Sequence, residues 1–295
     1  MRVNPNFLPN ILDALTRTQA QEQTSLLQMA TGLRVNKPSD DPAAAATLLL
    51  NRSETTRVNS IVHNLSNLSG QLQTADAALN SVTLSLQRAI TLGVEAANGT
   101  LSAADRSSIA SEIQGIEKQV LGAANTTFNG QFLFAGTATQ TTPFVSDATV
   151  PSGVRYDGNN GVNSMQADES LSLQTNQPGS TIFTSAGKDV FQGLNDLVSA
   201  IQSDSGIETA VSSLRASFDY VSAQRVFYGN GIQQISEQTT WLNQVNLQLA
   251  TQQNAVGGAD LAKTTSDLVT AETARSATMQ AASRVTGTSL FDYLK

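Results

Sequence analysis

The stretch VNSIVHNLSNLSGQLQTADAALNSVTLSLQRA, residues 58–89, decides the fold. Val58, Ile61, Leu65, Leu68, Leu72, Ala75, Leu79, Val82, Leu86 and Ala89 recur in it at spacings of three and four. That period gathers them on one side of a helix about 48 Å long at 1.5 Å rise per residue. So long an apolar seam needs a partner helix to cover it, and Val58, Ile61, Leu65, Leu68, Leu72, Leu79, Val82 and Leu86 are the expected core of a helical rod.

Reading outward, LSAADRSSIASEIQGIEKQVLGAA carries Ile109, Ile113, Ile116, Val120 and Leu121 on one side of a shorter helix. Ser102, with Asp105 three residues later, forms a capping-box pattern at its start. From Phe132 to Phe183 helical spacing vanishes and Thr, Ser, Gly, Asn and Pro dominate. Short β-like pieces, FLFAG, VRYDG, LSLQT and TIF, alternate there with turn signals such as Asp157-Gly158 and Asn160-Gly161. Helical spacing returns from about Gly193 to Val256, interrupted by Gly229-Asn230-Gly231. The helices on either side of the β-rich insertion are therefore expected to pack together.

Upstream of the seam, GLRVNKPSDDPAAAAT (residues 32–47) sets two aspartates between two prolines and runs into four alanines. Adjacent carboxylates on a helix point about 100° apart, which does not make an acid–base dyad. A structural reading fits each neighbour. Pro38 keeps the chain extended, Ser39, Asp40 or Asp41 caps the free N–H groups, Pro42 takes the first helical position, and the alanines propagate the helix. The two ends have interrupted stripes. Leu8, Leu12, Leu15, Leu26, Met29 and Leu33 mark one, and Leu261, Leu268, Met279 and Leu290 the other. Neither is apolar enough to hold an isolated helix in water, so these are the expected assembly faces.

The chemistry that composition excludes is as informative. The chain has no cysteine, which removes thiol nucleophiles, disulfides and iron–sulfur centres. One histidine, His63, faces away from the seam and has no second ligand beside it. No P-loop, Gly-x-Ser-x-Gly or Gly-x-Gly-x-x-Gly motif occurs, and Asp157-Gly158-Asn159-Asn160-Gly161 lacks the closing glutamate of a calcium loop. No enzyme, no metal and no cofactor is expected. A net charge of −7 argues against nucleic acid, and the absence of a long apolar run against a membrane span. Residues 1–40 and 261–295 each carry four basic and three acidic side chains, so the ends are near neutral and the acidic excess sits between them. Ends that associate on a body that stays soluble would have this pattern. No uninterrupted signal-peptide core is found at the N-terminus.

TGLRVNKPSDDPAAAA (31–46), FNGQFLFAGT (128–137), TPFV, YDGN and the closing SLFDYLK (289–295) resemble the flagellin superfamily and, within it, the hook-associated protein 3 family. Flagellin itself is the alternative. Flagellin usually has Ser-Ala-Lys-Asp-Asp-Ala-Ala-Gly where this chain has Lys37-Pro38-Ser39-Asp40-Asp41-Pro42-Ala43-Ala44, and Ile-Asn-Thr-Asn where it has Val3-Asn4-Pro5-Asn6. The resemblance implies a mainly α fold with an inserted β domain: a long antiparallel helical rod from the N- and C-terminal halves and a small β-rich outer domain. The expected parts are paired terminal helices at 1–40 and 260–295, a helical rod at 41–136 and 188–259, and the β-rich insertion at 137–187. It also implies a structural part of the hook–filament junction, outside the cell and exported by the flagellar type III route without a cleaved signal peptide. Its implied partners are copies of itself in a ring, the neighbouring junction protein, flagellin and an export chaperone.

Overall fold

The computed structural model describes residues 7–167 and 171–287. In chain order it comprises α1 (Phe7–Thr31), α2 (Pro42–Ala96), α3 (Ala103–Ala124), β1 (Thr127–Phe128), β2 (Gln131–Phe132), β3 (Phe144–Ser146), β4 (Val154–Tyr156), β5 (Ser164–Gln166), β6 (Ser172–Gln174), α4 (Gly179–Phe183), α5 (Val190–Ser203), α6 (Ile207–Gly257) and α7 (Leu261–Gly287). The fold is mainly α, and its strands pair as three antiparallel hairpins, β1–β2, β3–β4 and β5–β6. The chain divides into two compact units, Met1–Asn59 with Asn243–Lys295, and Ser60–Leu242.

In Ser60–Leu242 the apolar face of α2 is the spine. Leu65, Leu68, Leu72, Ala75, Leu79, Val82, Leu86 and Ala89 are all buried, and Ile61 is half-buried. Two glycines let α6 come close. A Cβ on Gly93 would stand 2.6 Å from Val211 Cγ2, and one on Gly231 would stand 2.9 Å from Leu72 Cδ1. Gly229-Asn230-Gly231 therefore does not break the helix, because α6 runs through it, and the glycine gives its space to a neighbour. The register of the pair is marked by Arg225 of α6, whose Nε and Nη2 donate to the Asp76 carboxylate at 2.9 and 3.1 Å while Nη1 donates to Asn80 Oδ1 at 3.0 Å.

α3 starts at the capping box read from the sequence. Ser102 Oγ accepts from Asp105 N at 3.2 Å, and the Asp105 carboxylate accepts from Ser102 N at 3.2 Å. The helix packs on α5, which is capped by Asp189 accepting from Gln192 N at 2.9 Å. Burial raises the Asp189 carboxyl above its ordinary range, against the lowering effect of that capping N–H.

The inserted segment is built around rings. Phe144 has its ring centroid 5.2 Å from Phe183, 5.1 Å from Tyr156 and 5.4 Å from Phe191 of α5, and Phe134 meets Phe183 edge-on at 5.3 Å. Asn125, the C-cap of α3, holds Phe144 by both ends of its amide, donating to the Phe144 carbonyl and accepting from its N–H. Gly136 and Gly179 are needed for close approach: a Cβ would lie 2.0 Å from the Asn159 carbonyl and 2.7 Å from the Phe134 carbonyl, respectively. Tyr156 Oη donates within this knot, with Phe134 O at 3.0 Å and Asn159 O at 2.9 Å. Two expectations about strands are corrected. FLFAG, residues 132–136, gives only Phe132 to a strand, because β2 ends there and the chain bends to bury Leu133, Phe134 and Ala135. TIF, residues 181–183, is not β-like but belongs to the short helix α4, where Ile182 and Phe183 are fully buried among the rings. Contact with the aromatic cluster, not strand pairing, sets its backbone.

Leu72 is 1% exposed and Leu84, on the same helix, 59% exposed. Leu72→Asp should cost on the order of 3–5 kcal/mol by burying an unpaired charge, and Leu84→Asp less than about 0.5 kcal/mol. Circular-dichroism melts of the two variants check this, and equal melts would mean that the seam is not the core.

Candidate assembly site

The stretch read as a helix start turns out to be a joint. α1 stops at Gly32, whose φ of +68° is easy for glycine and whose N–H returns to Gln28 O at 2.8 Å. The next residue, Leu33, forms an antiparallel bridge with Gly258, between α6 and α7. Arg34 N donates to Gly257 O at 2.7 Å and Ala259 N to Gly32 O at 2.9 Å. The Arg34 side chain completes the clasp: Nη2 donates to Val256 O at 2.8 Å and Nη1 to Asp41 Oδ2 at 3.0 Å. Carbonyls at the end of α6, which have no partner inside the helix, are thus satisfied by a single residue of the other half of the chain.

The two aspartates divide the work. Asp41 Oδ1 accepts from Ala44 N at 3.0 Å, so Asp41 is the cap of α2 and Pro42 its first residue. Asp40 Oδ2 accepts from Asn36 N at 3.0 Å and Lys37 N at 2.9 Å, which folds the 36–40 loop back on itself. Ser39 is exposed in the same turn. The N–H of Ala44, and after it the Arg34 guanidinium, hold the Asp41 carboxyl below its ordinary range. Beneath the joint, Val35, Ala44 and Leu48 form a small core with Ala45 and Val256. Leu33, Val35, Pro38, Leu48 and Leu49 line a cavity of about 220 Å³ beside it.

Beyond the joint, α1 and α7 pack on each other. Few of their side chains are fully buried. Among the described residues of the two helices Ser25, Thr264 and Ala271 are buried, and Arg275 reaches Glu22 at 3.1 Å. Of the expected assembly faces, Leu12 (58% exposed), Leu26 (46%), Met29 (36%), Leu261 (54%) and Met279 (51%) stand in solvent. Leu15, Leu33 and Leu268 are half-buried. The Leu8 side chain and Leu290 lie outside the described residues. Leu27, Leu49, Leu50, Leu247 and Val269 of the same unit are also exposed and did not stand out in the sequence. Their neighbours break the helical stripe, so periodicity gave no sign of them.

Nothing in this geometry gathers chemistry. Among the described residues no three His, Cys, Asp or Glu side chains cluster, and His63 is exposed with Asn67 Nδ2 3.4 Å from its Nε2.

Residues 5–139 match the family model of the bacterial flagellin N-terminal helical region. The chain is 31% identical over 202 residues to flagellar hook-associated protein 3 of Escherichia coli, covering 68% of this chain and 62% of the relative. It is 33% identical over 175 residues to flagellar hook-associated protein 3 of Salmonella typhimurium, covering 59% and 54%. It therefore spans less than two thirds of either relative's length. Among solved structures, the flagellar junction protein FlgL of Legionella pneumophila superposes with a TM-score of 0.60, over 73% of this chain and 100% of that one. At 13% identity that likeness concerns the fold.

The joint makes two expectations. Gly258→Ala places a Cβ 2.4 Å from Asn254 O and should cost about 1–3 kcal/mol by thermal melt. Asp41, with its folded pKa depressed, stabilises the joint fully above the unfolded value near ~3.9, and the effect is lost as pH falls through the lower folded value. An NMR titration of its carboxyl carbon should have a midpoint below the ordinary range, and Arg34→Ala should raise it only part of the way, since the Ala44 N–H remains.

Proposed function

We propose that this chain is a member of the flagellin superfamily with a structural role in the bacterial flagellum. It is the junction part between hook and filament, in keeping with the names of its relatives, and filament growth and motility need it. Copies associate through the terminal helices into a ring. The neighbouring junction protein lies on one side and flagellin on the other, and a chaperone guards the chain before export. The wider assembly domain would be residues 1–40 with 260–295, the rod 41–136 with 188–259, and the outer β-rich part 137–187. Among the described residues no helix is long and apolar enough to cross a membrane.

The supporting observation is the contrast between the two units. Among the described residues of Met1–Asn59 with Asn243–Lys295, the buried apolar side chains are Val35, Ala44, Leu48, Val58 and Ala271, while ten large apolar side chains are exposed. A free subunit with so much apolar surface and so little core in one unit is built to be covered by other copies. The Ser60–Leu242 unit, which holds nearly all the core, supplies the stability of the separate chain. In the subunit, α1 and α7 open at low cost, and packing against neighbours orders them, which discourages polymerisation before export.

Three measurements test this. Electron microscopy of a deletion strain should show hooks without filaments and flagellin in the medium; a strain with intact hooks and filaments would leave the reading untenable, and one lacking the filament's own material would favour the flagellin alternative. Leu26→Asp with Met279→Asp should leave the melt of the purified chain within about 0.5 kcal/mol yet fail to restore filaments in that strain. Limited proteolysis of the monomer should trim both ends before a core of about residues 40–258 is cut; ends as resistant as the core would count against ordering on assembly.

A further inference from the structure

In the Ser60–Leu242 unit a cleft of about 380 Å³ opens between α2 and the β1–β2 hairpin, with Met165 of β5 and Thr175 at its side. One wall is a helix face. Asn64, Asn67 and Gln71 of α2 fall at i, i+3 and i+7 and present their amides to it. The other wall is the hairpin, whose Asn129-Gly130 turn has φ of +51° and +78° and sets Phe128 opposite Gln131. Both residues of that turn take left-handed backbone, the requirement of the tight hairpin turn for which Asn-Gly is the favoured pair. Asn129 and Gln131 therefore reach the cleft from a fixed frame.

The lining has an unusual chemistry for this chain. Five of its twelve residues are Asn or Gln, and none is ionisable. The side-chain amides of Asn64, Asn129 and Gln131 have no partner among the described residues. Gln71 spends one N–H on the Thr175 carbonyl, at 3.5 Å, and keeps its oxygen. Between the amides lie half-buried aromatic rings, Phe128 and Phe132. Gly70 makes room for one of them, since a Cβ there would stand 3.2 Å from Phe128 Cζ. The ring is thereby pressed to the helix as a wall of the cleft.

We propose that this cleft binds a short uncharged oligosaccharide. A side-chain amide offers a donor and an acceptor on one planar edge, which is what two neighbouring hydroxyls of a sugar ring require. The C–H face of the same ring lies on an aromatic surface. Other ligand classes fit less well. A sulfated or carboxylated glycan would give up hydration without meeting a cation. A purely apolar ligand would leave the amides unpaired. An extended peptide adding to a sheet finds strands of only two or three residues here. No carboxylate lines the cleft, so the site binds a sugar and does not cleave it.

The test uses the full chain on an array of uncharged, sialylated and sulfated glycans, followed by calorimetric titration with maltotriose, mannotriose and triacetylchitotriose. Uncharged glycans should bind, with dissociation constants in the high micromolar to millimolar range. The double variant Asn64→Ala with Gln131→Ala, both exposed positions, should weaken binding by about tenfold or more, one lost hydrogen bond at each, and leave the melt unchanged. If that variant proves unstable, Asn64→Ala alone should show the same loss in smaller measure. The proposal is overturned if no uncharged glycan binds at about 10 mM, if binding is unaffected by these variants, or if only charged glycans bind. A peptide that occupies the cleft in place of every sugar would overturn it equally.

Discussion

The constraint on which the rest depends is the single apolar face of α2. A helix this long cannot shield its own seam, and each turn of Leu65–Ala89 that loses its cover exposes surface worth about 25 cal/mol per Å². The other elements of Ser60–Leu242 are arranged to supply that cover. α6 comes near at Gly93 and Gly231, where glycine costs about 0.5–1 kcal/mol of helix propensity and returns it as contact. Arg225 and Asp76 mark one register among the several that a regular seam allows. The pair is about two thirds buried on either side, so its value lies more in specificity than in net stability.

The remaining unit follows the opposite logic. It has almost no apolar core of its own, and what fixes it at the joint is hydrogen bonding: Leu33 pairs with Gly258, the Arg34 N–H donates to the last carbonyl of α6, at Gly257, and the Arg34 guanidinium to the carbonyl before it, at Val256. Hydrogen bonds are directional and short-ranged, so they can set geometry at one place without covering the helices on either side. Leu12, Leu26 and Met29 of α1 and Leu261 and Met279 of α7 are thus positioned but left exposed.

The inserted segment shows a third arrangement. Its strands are too short to stabilise themselves, and a two-stranded hairpin alone is marginal in water. Rings from β4, α4 and α5 close around Phe144 of β3, and Asn125 ties that residue's backbone to the end of α3. The hairpins are consequently fixed by what lies beneath them. Their outer surfaces, with β1–β2 the clearest case, are free to carry polar side chains in a set frame.

The residues of α2 and α3 made their own structure legible, because an apolar period of three and four and a capping box are local facts: Leu72 lies in the seam and Ser102 caps α3 whatever else the chain does. The Pro-Ser-Asp-Asp-Pro stretch likewise announced a helix start. Which aspartate caps it was open, since Asp40 and Asp41 have the same chemistry and differ only in where the 36–40 loop turns. Arg34 and Gly257-Gly258 could not be found that way, because their partners are more than two hundred residues off in sequence and the pairing has no periodic signature. TIF read as strand from its β-branched and aromatic residues, and became helix because the aromatic cluster rewarded a different backbone. The exposed Leu49, Leu50 and Leu247 were invisible for the same reason: a sequence shows that a side chain is apolar, but only the packed helices decide whether anything remains to cover it.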